Sequence, residues 1–169
     1  MPNPSTLPPR MPLYTAAQRA RRDSTGWTLV QGILAPVQFL AFGVSVVLVL
    51  RYLATGDGYG AATVSNLVKT GLLYTIMVTG AIWEKLVFGQ YLFAPAFFWE
   101  DLFSFGVIAL HTAYIIALFG GTLARTGLML LALAAYANYA INAGQFLWKL
   151  RMARLDSARD AAPEGSEAA

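Results

Sequence analysis

The stretch WTLVQGILAPVQFLAFGVSVVLVL, Trp27–Leu50, reads as a helix that crosses a membrane. It exceeds the roughly 20 apolar residues an α-helix needs to span a bilayer core. Three further apolar runs follow, Val64–Trp83, Leu102–Thr122 and Thr126–Trp148. Each is also about 20 residues long. The predicted fold is therefore an all-α integral membrane protein, a bundle of four transmembrane helices.

Composition supports one membrane domain. Of 169 residues, 57% are hydrophobic, and no repeat interrupts the pattern. The first 26 residues are rich in Pro and Arg and lack an apolar h-region, so they do not read as a cleavable signal peptide. The expected division is a flexible cytoplasmic segment at 1–26, the four-helix membrane domain at 27–152, and a disordered cytoplasmic tail at 153–169. Cysteine is absent, which excludes disulfides, a thiolate nucleophile, iron–sulfur clusters and cysteine-bound zinc. With a single His, no protein-built metal site is expected.

The net charge of +3 has a location. Arg10, Arg19, Arg21 and Arg22 precede the first span, Lys149, Arg151, Arg154 and Arg159 follow the last, and Lys85 lies between the second and third. Only Arg51, Lys69 and Arg125 fall on the other side. Cationic loops mark the cytoplasmic face, which places both termini and the second-to-third connection there. Partners implied by this charge are lipid headgroups; no basic stripe with interleaved aromatics calls for nucleic acid. Lys69 sits close to the start of the second span, where a long side chain can snorkel.

Polar residues recur at helical spacing. Gln31, Gln38 and Ser45 share a face of the first span, with Pro36 between the glutamines as a potential kink. In the third span Glu100, Ser104, Val107, His111 and Tyr114 form one stripe, while the small residues Ala109, Ala113, Ala117 and Gly121 form a second, suited to packing on another helix or subunit. Asn138, Asn142 and Gln145 share a face of the fourth. Threaded up and down, Gln31, Gln38, Glu84, Glu100, Asp101, His111, Asn138, Asn142 and Gln145 fall in the cytoplasmic half; His111 lies about 16 Å deeper than Glu100. The opposite half reads as nearly bare of polar groups, which argues against a proton-coupled transporter.

Between the second and third spans lies FGQYLFAPAFFWEDLFSF, Phe88–Phe105. It is too apolar for an ordinary loop and is broken by Gly89 and Pro95. An aromatic-rich interfacial or re-entrant segment is expected, since irregular backbone at depth is tolerated only against protein or a cavity.

Each polar group has a plain reading beside a functional one. Amides on facing spans join helices by hydrogen bonds; they also line pockets. Glu84 and Lys85 can be interfacial charges. The Glu100–Asp101 pair sits among aromatics, surroundings that disfavour a charged carboxyl and suit a general acid. His111 fits a satisfied core histidine, a proton carrier or a ligand to a metal carried by a bound molecule. The residues thus reach a membrane enzyme acting on a lipophilic substrate, a pigment-binding or photosystem-assembly subunit, or a small transporter.

The stretches TGWTLVQGILAPVQF (Thr25–Phe39), KTGLLYTIMVTGAIWEKLVFGQYLFAPAFFWEDLFSF (Lys69–Phe105), ALHTAY (Ala109–Tyr114) and LALAAYANYAINAGQFLWKLR (Leu131–Arg151) resemble the vinyl (bacterio)chlorophyllide hydratase family of bacteriochlorophyll biosynthesis. The segment Trp83–Asp101 is the most distinctive part. The resemblance implies a hydro-lyase of the bacterial inner, intracytoplasmic membrane that adds water to the C3-vinyl group of a chlorin, giving a 1-hydroxyethyl group. It implies no cofactor, since the magnesium is carried by the substrate. Partners are the chlorophyllide or bacteriochlorophyllide, the lipid bilayer, and a second copy or other pigment-biosynthesis enzymes. From position, Glu100, Asp101, His111 and Glu84 are the candidate catalytic residues, with Glu100 favoured as acid because it shares a face with His111. Gln31, Gln38, Asn138, Asn142, Gln145 and Trp99 are the candidate substrate-binding residues.

The topology is directly testable. Reporter fusions at Arg154 and Gly58 are expected to report opposite sides of the membrane; the same side for both would overturn the four-span arrangement.

Overall fold

The computed structural model describes residues 13–160, with side chains through Leu155. Among them all regular structure is helical: α1 Ala16–Ser24, α2 Gly26–Thr55, α3 Tyr59–Phe88, α4 Phe98–Gly120 and α5 Arg125–Asp160. Helices α2 to α5 contain the four apolar runs and are long and apolar enough to cross a membrane. The chain is thus read as a multi-pass membrane protein. Within this set α2 and α4 are markedly more apolar than α3 and α5.

The short α1 lies inside the amino-terminal segment read from sequence as flexible. A capping box starts it: the Gln18 amide N–H donates to Thr15 Oγ1 while the Thr15 N–H donates to the Gln18 side chain. Helix α5 also continues past 153 to Asp160, into the segment read as a disordered tail. Residues 1–12 and 161–169 lie outside the described residues. Helix α2 runs through Pro36 without interruption.

Glycines in the left-handed conformation end α2, α3 and α4, at Gly56, Gly89 and Gly121, with φ of 78°, 88° and 62°. The tight turns they open make two antiparallel hairpins, α2–α3 and α4–α5. Cross-links fix the pairing. Within the first hairpin Gln31 Nε2 donates to Thr79 Oγ1 (2.8 Å) and Trp83 Nε1 to Thr28 Oγ1 (2.9 Å). Within the second, Asn142 Nδ2 donates to Ser104 Oγ (2.8 Å). Between hairpins, Ser45 bonds the Tyr136 hydroxyl (2.5 Å) and Tyr74 bonds Thr112 (2.7 Å). Each helix is therefore antiparallel to both neighbours. We call the end holding α1 and the 89–97 connection the terminal end, and the end holding Gly56–Gly58 and Gly121–Ala124 the turn end.

The apolar core lies toward the turn end, where Val49, Ala62, Tyr114, Met129, Ala132 and Tyr136 interlock. A second cluster closes the terminal end, with Tyr14, Val87, Phe97 and Ala153 buried and Trp83 and Phe88 packed on them. Large residues such as Leu40, Val47, Ile116 and Phe119 face outward, as expected for a surface solvated by lipid. The polar stripe of α4 is its buried face: Glu100, Ser104, Val107, His111 and Tyr114 are all enclosed. Of the small-residue stripe, Ala109, Ala113 and Gly121 face outward and only Ala117 is buried, so it does not pack on another helix of this chain along its length.

The half read as bare of polar groups is not bare inside. Ser45, Ser65, Asn66, Lys69 and the Tyr136 hydroxyl all turn inward there. Counting apolar residues along the chain misses these groups because their apolar neighbours cover the lipid face.

Interhelical hydrogen bonds in bilayers average about 0.6 kcal/mol. Tyr136→Phe leaves Ser45 bonded to Ser65 (2.8 Å), so its expected cost in a reversible unfolding measurement is of that order. A loss above about 2 kcal/mol would mean that this single bond, and not apolar packing, joins the hairpins.

Candidate active site

Three carboxyl groups meet at the terminal end, all buried: Glu84 from α3, and Glu100 and Asp101 from the first turn of α4. The two on α4 also face the helix amino terminus, where backbone N–H groups favour negative charge. Their environments differ. Glu100 Oε2 accepts from Lys149 Nζ at 2.7 Å. The same ammonium donates to the Ala96 carbonyl, so α5 reaches over and ties down the connection between α3 and α4. Glu84 and Asp101 have no cationic partner among the described residues and are held instead by backbone amides of the connection.

The connection is folded around this group. The Phe93 N–H donates to Asp101 Oδ2 (2.6 Å) and the Ala94 N–H to Glu84 Oε2 (3.3 Å). Successive amides thus hold the two carboxyls. Phe93 adopts φ 59°, the one described non-glycine residue in that region. Such a conformation costs about 1–3 kcal/mol and persists where surroundings over-determine it. Here the two carboxyls supply that determination, with the Phe93 ring stacked on Phe105 at 5.5 Å and 8°. Half of the Phe88–Phe105 stretch, expected as an interfacial or re-entrant segment, is the first part of α4.

The amino-terminal segment roofs the group. The Tyr14 ring packs on Phe88 (5.7 Å) and Phe97 (6.4 Å) with the Arg22 guanidinium 4.9 Å above it. Burial pushes the Tyr14 phenol above its ordinary value, against the lowering effect of Arg22.

One storey deeper lie the amides. Gln38 is 2% exposed, and neither end of its amide has a partner in the protein. Asn142 is spent on one side by Ser104, while its Oδ1 is buried and unpaired. Gln145 is half-buried with Oε1 likewise unpaired. Asn138 lies against α4 at Gly106, where an added Cβ would stand 2.8 Å from Asn138 Nδ2. A larger residue at 106 would make the Asn138 amide swing aside. Two predicted site residues stand apart: Gln31 is engaged with Thr79, and Trp99 is 62% exposed on the outer face.

Deeper again, His111 is fully buried. Its Nδ1 donates to the Val107 carbonyl (2.8 Å), and its Nε2 is 2.9 Å from Lys69 Nζ. That pattern makes Nε2 the acceptor, so the nitrogen that either a metal-ligating or a water-activating role would use is taken. Lys69 does not snorkel; it is fully buried. Its signal in the sequence is the stripe Asn66, Lys69, Thr70 and Leu73, every member of which is enclosed. Lys149, read from sequence only as a topology marker, is the other residue missed.

Among the described residues no three His, Asp or Glu side chains come together where they could hold a metal ion. A surface depression of 540 Å³ lies beside the start of α2, lined by Ser24, Thr25, Gly26, Trp27, Val30 and Leu86. It contains no titratable side chain and is not part of the polar group.

This arrangement defines a class: a polytopic membrane protein with titratable side chains enclosed between two helical hairpins. The profile of the 2-vinyl bacteriochlorophyllide hydratase family matches residues 14–152, and the chain belongs to that family. It is 72% identical over 160 residues to the 2-vinyl bacteriochlorophyllide hydratase of Rhodobacter capsulatus, covering 95% of this chain and 93% of that protein. It is 74% identical over 153 residues to the protein of the same name from Cereibacter sphaeroides, covering 90% and 94%. No solved structure matches.

Removing one partner of a buried ion pair costs roughly 3–5 kcal/mol. Lys149 is 24% exposed, so Lys149→Met is expected at or below the lower end of that range. Lys149→Met combined with Glu100→Gln is expected to recover most of the loss. A double variant no more stable than the single would show that Lys149 acts through Ala96 alone.

Proposed function

We propose that the chain adds water to the vinyl group of a chlorophyllide or bacteriochlorophyllide (position 2 in the older macrocycle numbering, 3 in the current one), with the Glu84–Asp101 pair as the proton donor. Family membership supports the reaction, and the burial of Glu84 and Asp101 without a cationic partner among the described residues carries the assignment of the acid. Sequence position alone favours Glu100. Its Oε2 is instead engaged by Lys149 at 2.7 Å, a contact that ties α4 to α5.

The steps follow from the chemistry of a vinyl group conjugated to a macrocycle. The π electrons take a proton from the Glu84–Asp101 pair, forming a C–H bond at the terminal carbon. The cation left on the adjacent carbon is delocalised into the ring. Water attacks that carbon, and the proton it sheds returns to the carboxylate just vacated, so the pair ends as it began. Glu100, bonded to Lys149, stands beside the pair and positions α5 against it. The unpaired amides of Gln38 and Asn142 are suited to hold the water and the carbonyl groups of the ring; Asn138 and Gln145 extend that face. The chain supplies no cofactor of its own; the magnesium arrives in the substrate.

A lipophilic substrate explains why the site lies in a membrane protein. The cationic flanks support a cytoplasmic terminal end, with the aromatic connection at that interface of the bacterial inner, intracytoplasmic membrane. The outward-facing alanines of α4 suit a second copy or a neighbouring pigment enzyme.

Purified protein given a chlorophyllide is expected to produce a mass gain of one water and a blue-shifted absorption band. General acid catalysis is worth about 10²–10⁴-fold. Asp101→Asn and Glu84→Gln are each expected to lose activity on that scale while still binding pigment, and Glu100→Gln to lose less. Near-normal turnover in Asp101→Asn and Glu84→Gln would refute the pair as donor.

A further inference from the structure

We propose that Lys69 anchors a carboxylate carried by the substrate, so that the bundle selects the free acid of the pigment over its esters. The inference rests on the hydratase reading and adds to it a binding site and a basis for specificity.

Lys69 is a cationic donor enclosed at the centre of the bundle. Ionisable groups at such depth are costly and normally face a partner. The only hydrogen bond described for its ammonium goes to His111 Nε2, a neutral acceptor, although an ammonium has three N–H groups to place. Aromatic faces wall the rest: Tyr139 at 4.1 Å, Tyr136 at 5.2 Å and Phe42 at 5.9 Å. These attract a cation but accept no conventional hydrogen bond.

A second observation points to a ligand. One turn toward the terminal end from Phe42 and Tyr139 stand Gln38, enclosed with both amide atoms unpaired, and Asn142, with Oδ1 unpaired. Buried polar groups are nearly always satisfied. Here unpaired amides from α2 and α5 adjoin a cation without a counter-charge. A molecule that satisfies all of them carries an anion at one end, hydrogen-bonding groups along its length, and a flat apolar body that fits among aromatic rings.

The spacing agrees with the proposed chemistry. Asp101 and His111 are separated by about 15 Å along α4. On this proposal the vinyl meets the carboxyl pair and the propionate arm reaches along α4 toward Lys69. A chlorophyllide is by its chemistry the free acid; esterification removes the charge that Lys69 would meet.

The test compares a chlorophyllide with its methyl ester, using full-length protein in nanodiscs. Wild type is expected to favour the acid. Lys69→Met is expected to lose about thirtyfold or more in kcat/KM on the acid, the scale for truncating one partner of a buried charge pair, with little change on the ester. Lys69→Arg should retain the preference for the acid. Ligand-free Lys69→Met should be at least as thermally stable as wild type, because methionine replaces an uncompensated buried cation at similar volume. Equal losses on both pigments, or a wild type indifferent to esterification, would overturn the anchor, and the second result stands even where Lys69→Met does not fold. Pigment binding followed by fluorescence quenching gives the same comparison without turnover. A protein that binds the acid selectively but hydrates neither pigment would therefore sink the hydratase reading and leave the anchor standing.

Discussion

A charge inside an apolar bundle must find its counter-charge or its proton within the bundle. Most of this structure answers to that constraint. Glu100 is matched by Lys149, and Glu84 and Asp101 accept from the backbone amides of Ala94 and Phe93. Lys69 has only an imidazole and aromatic faces. The first arrangement joins α4 to α5 and the second ties the 89–97 connection to both α3 and α4, so satisfying each carboxyl also sets where helices cross. The third leaves a requirement unmet, and the unmatched amides of Gln38 and Asn142 stand beside it.

The same constraint shapes the connection at 89–97. Irregular backbone near hydrocarbon needs internal partners for its amides and carbonyls. Phe93 and Ala94 find them in the carboxyls of Asp101 and Glu84, and the Ala96 carbonyl finds Lys149. An apolar redesign of these positions would leave the Phe93 and Ala94 amides and the Ala96 carbonyl without partners, which ties the loop's conformation to the carboxyls beneath it.

The spans were legible because apolar runs and glycine turns are local signals. The inward stripe of α4 was legible because its period matches the helix. Lys69 was misread because position along the chain was given more weight than its stripe with Asn66, Thr70 and Leu73. Lys149 was misread because a cation after the last span has an ordinary topological explanation. The division of labour among carboxyls was not legible at all, since it depends on which of two adjacent side chains α5 can reach. Helix α1 was hidden in a Pro- and Arg-rich segment, although Thr15 and Gln18 carry a capping signature. The amides were legible as a face, but not that Gln31 would be spent on Thr79 while Gln38 would not.

The alternation of strongly and weakly apolar helices has a consequence for biogenesis. In each hairpin the helix made first is the one that partitions readily into lipid, and the one made second carries groups that resist it, Lys69 and Glu84 in α3 and the amides in α5. The leading helix offers its follower an apolar partner and a tight turn, so each hairpin can enter the bilayer as a unit. Glu100 finds Lys149 within its own hairpin, whereas Lys69 meets His111 only when the second hairpin docks on the first. Insertion and activation are separate events in such a chain, and a half-synthesised molecule is a membrane protein before it is an enzyme.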